Sequence, residues 1–159
     1  MAQWFTCKMK FDKTMENGLI KKVTEAYLVD ALSFTEAEKR FVDELKPYMS
    51  GEFEVSGITK AKISELFDSN DGLADRWFKA RVAFITLDEK TGAEKRARQN
   101  MMVKAIDFRD ALKNLDTNMA STLGEWVIES IAESNIMDVY PYETAEVKND
   151  KPEFDPNAN

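Results

Sequence analysis

The sequence predicts an α+β protein built from an internal tandem repeat of a strand-strand-helix-strand(-strand) unit, with antiparallel sheets, helices packed on one face and a pseudo-twofold relation between the copies. Three observations predict it. The stretch QWFTCKMKF at residues 3–11 returns as RWFKARVAF at residues 76–84, and each alternates with the period of a half-buried strand. The likeness then runs on: Trp4 and Phe5 align with Trp77 and Phe78 at an offset of 73, Gly18 with Gly92 and Val29 with Val103 at 74, and Gly51 with Gly124, Ile63 with Ile136 and Phe67 with Tyr140 at 73 again. Two small gaps in about seventy residues are what a duplication leaves. Finally, each copy carries apolar residues at helical spacing behind a residue suited to an N-cap.

Taken in order, the first strand puts Phe5, Cys7, Met9 and Phe11 on one face and Trp4, Thr6, Lys8 and Lys10 on the other. The turns follow at Glu16 to Gly18 and Lys90 to Gly92, where glycine supplies the positive φ of a tight connection. Returning strands run near Lys21 to Ala31 and Lys95 to Ala105. Ser33 and Asp107 are the expected N-caps, and Ser33 with Glu36 fits the capping box. The helices read FTEAEKRFVDELKPYM, with Phe34, Ala37, Phe41 and Leu45 in spacing, and FRDALKNLDTNMASTL, with Phe108, Ala111, Leu115 and Met119; Pro47 ends or frays the first. After Gly51 and Gly124 come strands expected to break near Gly57 and Ser130, with Trp126, aligned with Phe53, read as core.

These elements give repeat 1 over 1–67, a polar linker over 68–76, repeat 2 over 77–142 and a disordered acidic tail over 143–159. In the tail five carboxylates stand against two lysines, with two prolines and no periodicity. Neither copy has many apolar residues of its own, so one shared core is expected.

Chemistry is restricted first by what is missing. The chain has no histidine, which removes the commonest general base and zinc ligand together. Its single cysteine, Cys7, lies on the apolar face of its strand and reads as a small buried hydrophobe. No G-x-S-x-G, G-x-G-x-x-G or G-x-x-x-x-G-K motif occurs. DSNDG, from Asp68, starts like a calcium loop but places glycine fifth and Lys79 where the twelfth-position glutamate belongs. The expectation is a protein that is not an enzyme and uses no metal or cofactor. No window approaches a transmembrane span and the start lacks a signal-peptide pattern, which predicts a cytoplasmic protein.

What remains is the outward face of the two hairpins. It is expected to carry Trp4, Lys8, Lys10 and Lys22 in the first copy, and Trp77, Lys79, Arg81, Arg96 and Arg98 in the second. Aromatic planes for base stacking among cations for phosphates are what single-stranded DNA or RNA binding needs. The net charge of −7 requires such a patch to be local, because the whole molecule repels a polyanion. Against this stands a structural reading, in which each tryptophan closes a core or covers the partner repeat and the lysines only solubilise a strand. Two further readings stay open: a protein-interaction or host-modulating factor that takes a basic partner through helix faces or the acidic tail, and a small nucleotide held between the repeats. Homodimerisation is left open as well.

The motifs WF-x-C-K near the start, KKVTEAYLVDALSFTEAE from Lys21, PYMSGEFEV from Pro47, FITLDEKTGAEK from Phe84 and IMDVYPYE from Ile136 resemble an uncharacterised family from Bacteroides-type bacteria and their phages, a domain of unknown function. That resemblance covers nearly all but the tail; it implies a bacterial or phage setting and brings no activity. By topology alone, the order of four strands and a helix counted from Gly51 is similar to the unit of PUR-alpha and Whirly type single-strand binders, without their motifs.

Overall fold

The computed structural model describes residues 3–141, so the predicted tail over 143–159 lies outside the described residues. Two helices and eight strands form an α+β fold with two four-stranded sheets. The first hairpin joins β1 (Gln3–Thr14) to β2 (Ile20–Ala31), paired from Gln3 with Ala31 to Thr14 with Ile20. Gly18 turns the chain at φ 84°, donating its N–H to the Met15 carbonyl at 2.9 Å.

Helix α1 (Phe34–Leu45) starts where the cap predicts. Ser33 Oγ accepts the Glu36 N–H at 3.1 Å, and Glu36 Oε1 accepts the Leu32 N–H at 2.6 Å, so two free donors are satisfied reciprocally. Pro47 cannot continue the helical ladder, and the chain tightens into one 3-10 turn over Lys46–Tyr48. β3 (Phe53–Ala61) then pairs antiparallel with β1, and β4 (Glu65–Phe67) leaves the first sheet altogether.

The second half repeats this order with β5 (Arg76–Leu87), β6 (Glu94–Ala105), α2 (Phe108–Met119), β7 (Glu125–Glu133) and β8 (Ile136–Tyr140). Its turn is held by Asp88, whose Oδ1 accepts the Lys90 and Thr91 N–H groups at 2.8 and 3.1 Å and whose carboxyl is thereby kept below its ordinary value. Asp107 Oδ1 caps α2 on the Asp110 N–H at 2.9 Å.

The strand orders are β3-β1-β2-β8 and β4-β6-β5-β7. Each sheet therefore takes its fourth strand from the other half. β8 runs parallel to β2 and β4 parallel to β6, so the sheets are mixed, not antiparallel as the sequence suggested. A strand that arrives from the other half is not tied by a hairpin, and nothing forces it antiparallel.

The buried residues divide accordingly. Phe5, Cys7, Met9, Tyr27 and Val29 pack under Ala37, Phe41 and Leu45 of α1, and Tyr140 of β8 completes that core by stacking on Tyr27 at 5.8 Å. Ala80, Val82, Met101 and Val103 pack under Leu115 and Met119 of α2, with Phe67 of β4 and Trp126 of β7 against them. A third cluster joins the opposite faces of the two sheets: Leu28, Trp77, Met102 and Val139, with Trp4, Ala61, Ile63, Leu66 and Ile136 packed around them. The residues expected to share one core thus form separate clusters, and the halves meet at this seam and through Tyr140 and Phe67, each packed in the other half's core.

Candidate nucleic-acid interface

The alternation that buries Phe78, Ala80 and Val82 under α2 sends Trp77, Lys79 and Arg81 to the other face of β5. At the seam end of that face Trp77 is 2% exposed, and its indole N–H has no hydrogen-bond partner among the described residues. Lys104, its register neighbour, holds its ammonium 5.9 Å from the ring centroid. Trp4 lies in the same cluster and is half-buried. A ring packed between two sheets has no open face for a base, so the expectation of Trp77 as a stacking platform is corrected. Covering the other half, the structural reading of the sequence, describes Trp77.

The cations separate into two groups. Lys8, Lys10 and Lys22 are exposed on the first sheet. Lys10 stands opposite Glu54 and Lys22 opposite Asp12, and these four line one shallow depression together with Glu52. On the second sheet Arg96 and Arg98 are held by one carboxylate: Glu129 accepts from Arg98 Nε at 2.8 Å and Arg96 Nη1 at 3.0 Å, while Arg96 Nε also reaches Glu94 at 3.0 Å. Hydrogen bonds from Arg98 and then Arg96 keep the Glu129 carboxyl below its ordinary value, and the bonds to Glu94 and Glu129 raise Arg96 further. Lys79 and Arg81 are exposed and form no ion pair among the described residues.

Glu129 was not anticipated, because the break expected near Ser130 is a bulge. Arg81 pairs with Ser130 and Val82 with Ile128, so Glu129 is the extra residue and is turned onto the cationic face. The first sheet has the same irregularity: Lys8 pairs with Gly57 and Met9 with Val55, leaving Ser56 extra.

Beside Lys79 the two sheets enclose a cavity of about 350 Å3, lined from both halves by residues that include Leu28, Met102, Lys62, Asn100 and Asn135. An adjoining groove is lined by Lys62, Ile63, Ser64, Arg98, Gln99 and Asn100. Among the described residues, no carboxylate lines either depression. The sequence did not single out Lys62, Asn100 and Asn135: Lys62 and Asn135 lie outside the hairpin strands, and Asn100, on β6, carries no charge; the alignment of Lys62 with Asn135 was the available signal.

Elsewhere, Cys7 is fully buried and its thiol is pushed up to about 12, by burial first and Glu38 second, as expected of a structural cysteine. No helix among the described residues is long and apolar enough to cross a membrane.

Fold and site define a two-sheet α+β chain whose seam is apolar at its centre and cationic beside it. The chain belongs to the DUF4494 family, a domain of unknown function, whose model matches residues 3–142. No curated protein matches the chain.

Proposed function

We propose that this protein is a non-enzymatic binder of single-stranded nucleic acid, and that the strand runs along the seam-proximal part of the second sheet. The observation that carries this is the lining of two adjoining depressions that contain Lys62 and Lys79 and, among the described residues, no carboxylate, with Arg81 next to Lys79 on the same face; Arg98 also lines the groove but is held by Glu129. Long-range repulsion from an acidic chain makes a local cluster without counter-charges the place where phosphates are held. Lys8, Lys10 and Lys22 on the first sheet serve as secondary contacts in this reading, and the tryptophans hold the sheets at the working angle instead of stacking bases. The bacterial or phage setting and the cytoplasmic location that the sequence suggests belong to the same reading.

The internal duplication and a pseudo-twofold relation between its halves are part of the proposal as well. The equal strand orders and the exchange of β4 and β8 support them. Phe67 and Tyr140, aligned in the sequence, each pack in the core of the opposite half.

The test is fluorescence anisotropy of a labelled mixed-sequence oligonucleotide at two salt concentrations. Binding that weakens steeply with salt, and weakens further in Lys79→Glu, is expected; absence of binding at low salt counts against the proposal. A protein partner is the second reading, favoured by Phe108 and Leu112, which lie one turn apart on α2 at 53% and 39% exposure. A pulldown from nuclease-treated bacterial lysate that retains a specific partner supports that reading.

A further inference from the structure

We propose that the seam cavity is a site for one nucleotide unit, a nucleobase with its phosphate; its use by one unit of a bound strand rests on the nucleic-acid reading above, its use by a free nucleotide does not. At about 350 Å3 the cavity falls within the size range of small-ligand sites. Its apolar lining includes Ile63 and Ile136, half-buried side chains packed on the seam cluster, which offer a surface for the face of a base. Its polar lining includes two carboxamides, Asn100 and Asn135, each with donor and acceptor atoms of the kind that read a base edge.

Both carboxamides stand on fixed backbone. The Asn100 carbonyl accepts from Ser64 N at 2.9 Å and Ser64 Oγ at 3.2 Å. Ser134 Oγ donates to the Trp77 carbonyl at 2.8 Å and accepts the Ile136 N–H at 3.3 Å, which braces the turn at Asn135 from both sides. Such bracing lowers the ordering cost of binding.

Charge completes the match. Lys62 and Lys79 line the cavity, and among the described residues neither forms an ion pair and no carboxylate joins them. Lys60 also lines it, but its register partner is the core residue Phe5 and its ammonium lies 6.0 Å from the Phe34 ring, so its charge is directed to the helix side. A ligand with an apolar face, a hydrogen-bonding edge and a negative charge satisfies all three parts of the lining. A nucleotide has this combination, whether free or as one unit of a strand.

Calorimetry of the full chain with each of the four ribonucleoside monophosphates, with inorganic phosphate and with a mixed-sequence 12-mer (an oligonucleotide of about twelve units) separates the sources. Saturable mononucleotide binding is expected. It should fall about tenfold in Lys79→Gln, the scale of one charge-assisted hydrogen bond, and Asn135→Ala should change the ranking of the four bases. Both positions are exposed, so neither variant endangers folding. If the 12-mer binds and no mononucleotide does, the cavity inference is overturned and the polynucleotide reading stands. If mononucleotides bind and the 12-mer does not, the inference stands and the polynucleotide reading fails. Inorganic phosphate binding as tightly as the nucleotides overturns the inference, and binding of nothing overturns both.

Discussion

On the first sheet the residue pushed out at the bulge is Ser56; on the second, at the position aligned with it, the residue is Glu129. The two sheets share strand order, bulge and seam, yet their outer faces are balanced differently. On the first, Lys10 faces Glu54 and Lys22 faces Asp12 across the strands, while Lys8 faces Ala26 and Gly57. On the second, the counter-charge is gathered at Glu129, with Glu94 at the turn end, and Lys79 and Arg81 are left without one among the described residues. A shared backbone plan therefore fixes where side chains point, and a few substitutions decide what the surface can attract.

The tryptophans make a second contrast at aligned positions, and it gives the largest expected effect. Trp77 is buried in the seam, so Trp77→Ala should cost about 3–5 kcal/mol of stability in urea denaturation. Trp4→Ala removes a half-buried ring and should cost roughly 1–2 kcal/mol. Equal, small costs would break the comparison by showing that the seam does not depend on the second half.

Next come the exchanged strands. Removing the ring that each half contributes to the opposite core, in Phe67→Ala or Tyr140→Ala, should cost about 2 kcal/mol. Hydrogen exchange should show the loss of protection in the half that receives the ring. Loss confined to the mutated half would contradict the exchange.

The bulge residues sharpen the comparison of the faces. Glu129→Gln releases Arg96 and Arg98, and the slope of log affinity against log salt should steepen by up to about 0.7 for each guanidinium that reaches a phosphate. Ser56→Glu should make the slope slightly shallower, since the first sheet supplies the secondary contacts; an unchanged slope would remove them.

The smallest effect is in pH. The Glu129 carboxyl titrates below its ordinary 4.5 because Arg98 and Arg96 favour its charged form. Its contribution to stability is therefore complete above about pH 4.5 and is lost as pH falls through the lowered folded value. Comparing acid unfolding of the wild type with Glu129→Gln measures that part alone; identical acid limbs would mean the carboxylate contributes nothing. Cys7 acts at the other end, with stability expected to fall between about pH 9 and 12 as the unfolded thiol ionises first.

Much of the architecture was legible because period and punctuation are local signals. Gly18 and Gly92 marked the turns, Ser33 and Asp107 the caps, and the alternation from Phe5 to Phe11 the buried face. The exchange of β4 and β8 was not legible, since three to five residues such as Glu65–Phe67 carry no mark of which sheet they join. Trp77 was misread for a related reason. Period two places it opposite the core, but only the meeting of two sheets shows that this face is covered. Glu129 escaped because a bulge shifts the alternation by one, and the sequence registers a bulge only as an irregularity near Ser130.

The most direct test sets Arg81→Gln against Lys8→Gln, aligned positions on the two sheets, in the salt dependence of single-stranded oligonucleotide binding. Arg81→Gln should lower the log–log slope by about 0.7, one phosphate contact, with a clearly smaller loss in Lys8→Gln, a secondary contact. Equal slopes in both variants, or a loss in Lys8→Gln alone, would contradict the assignment of binding to the second sheet.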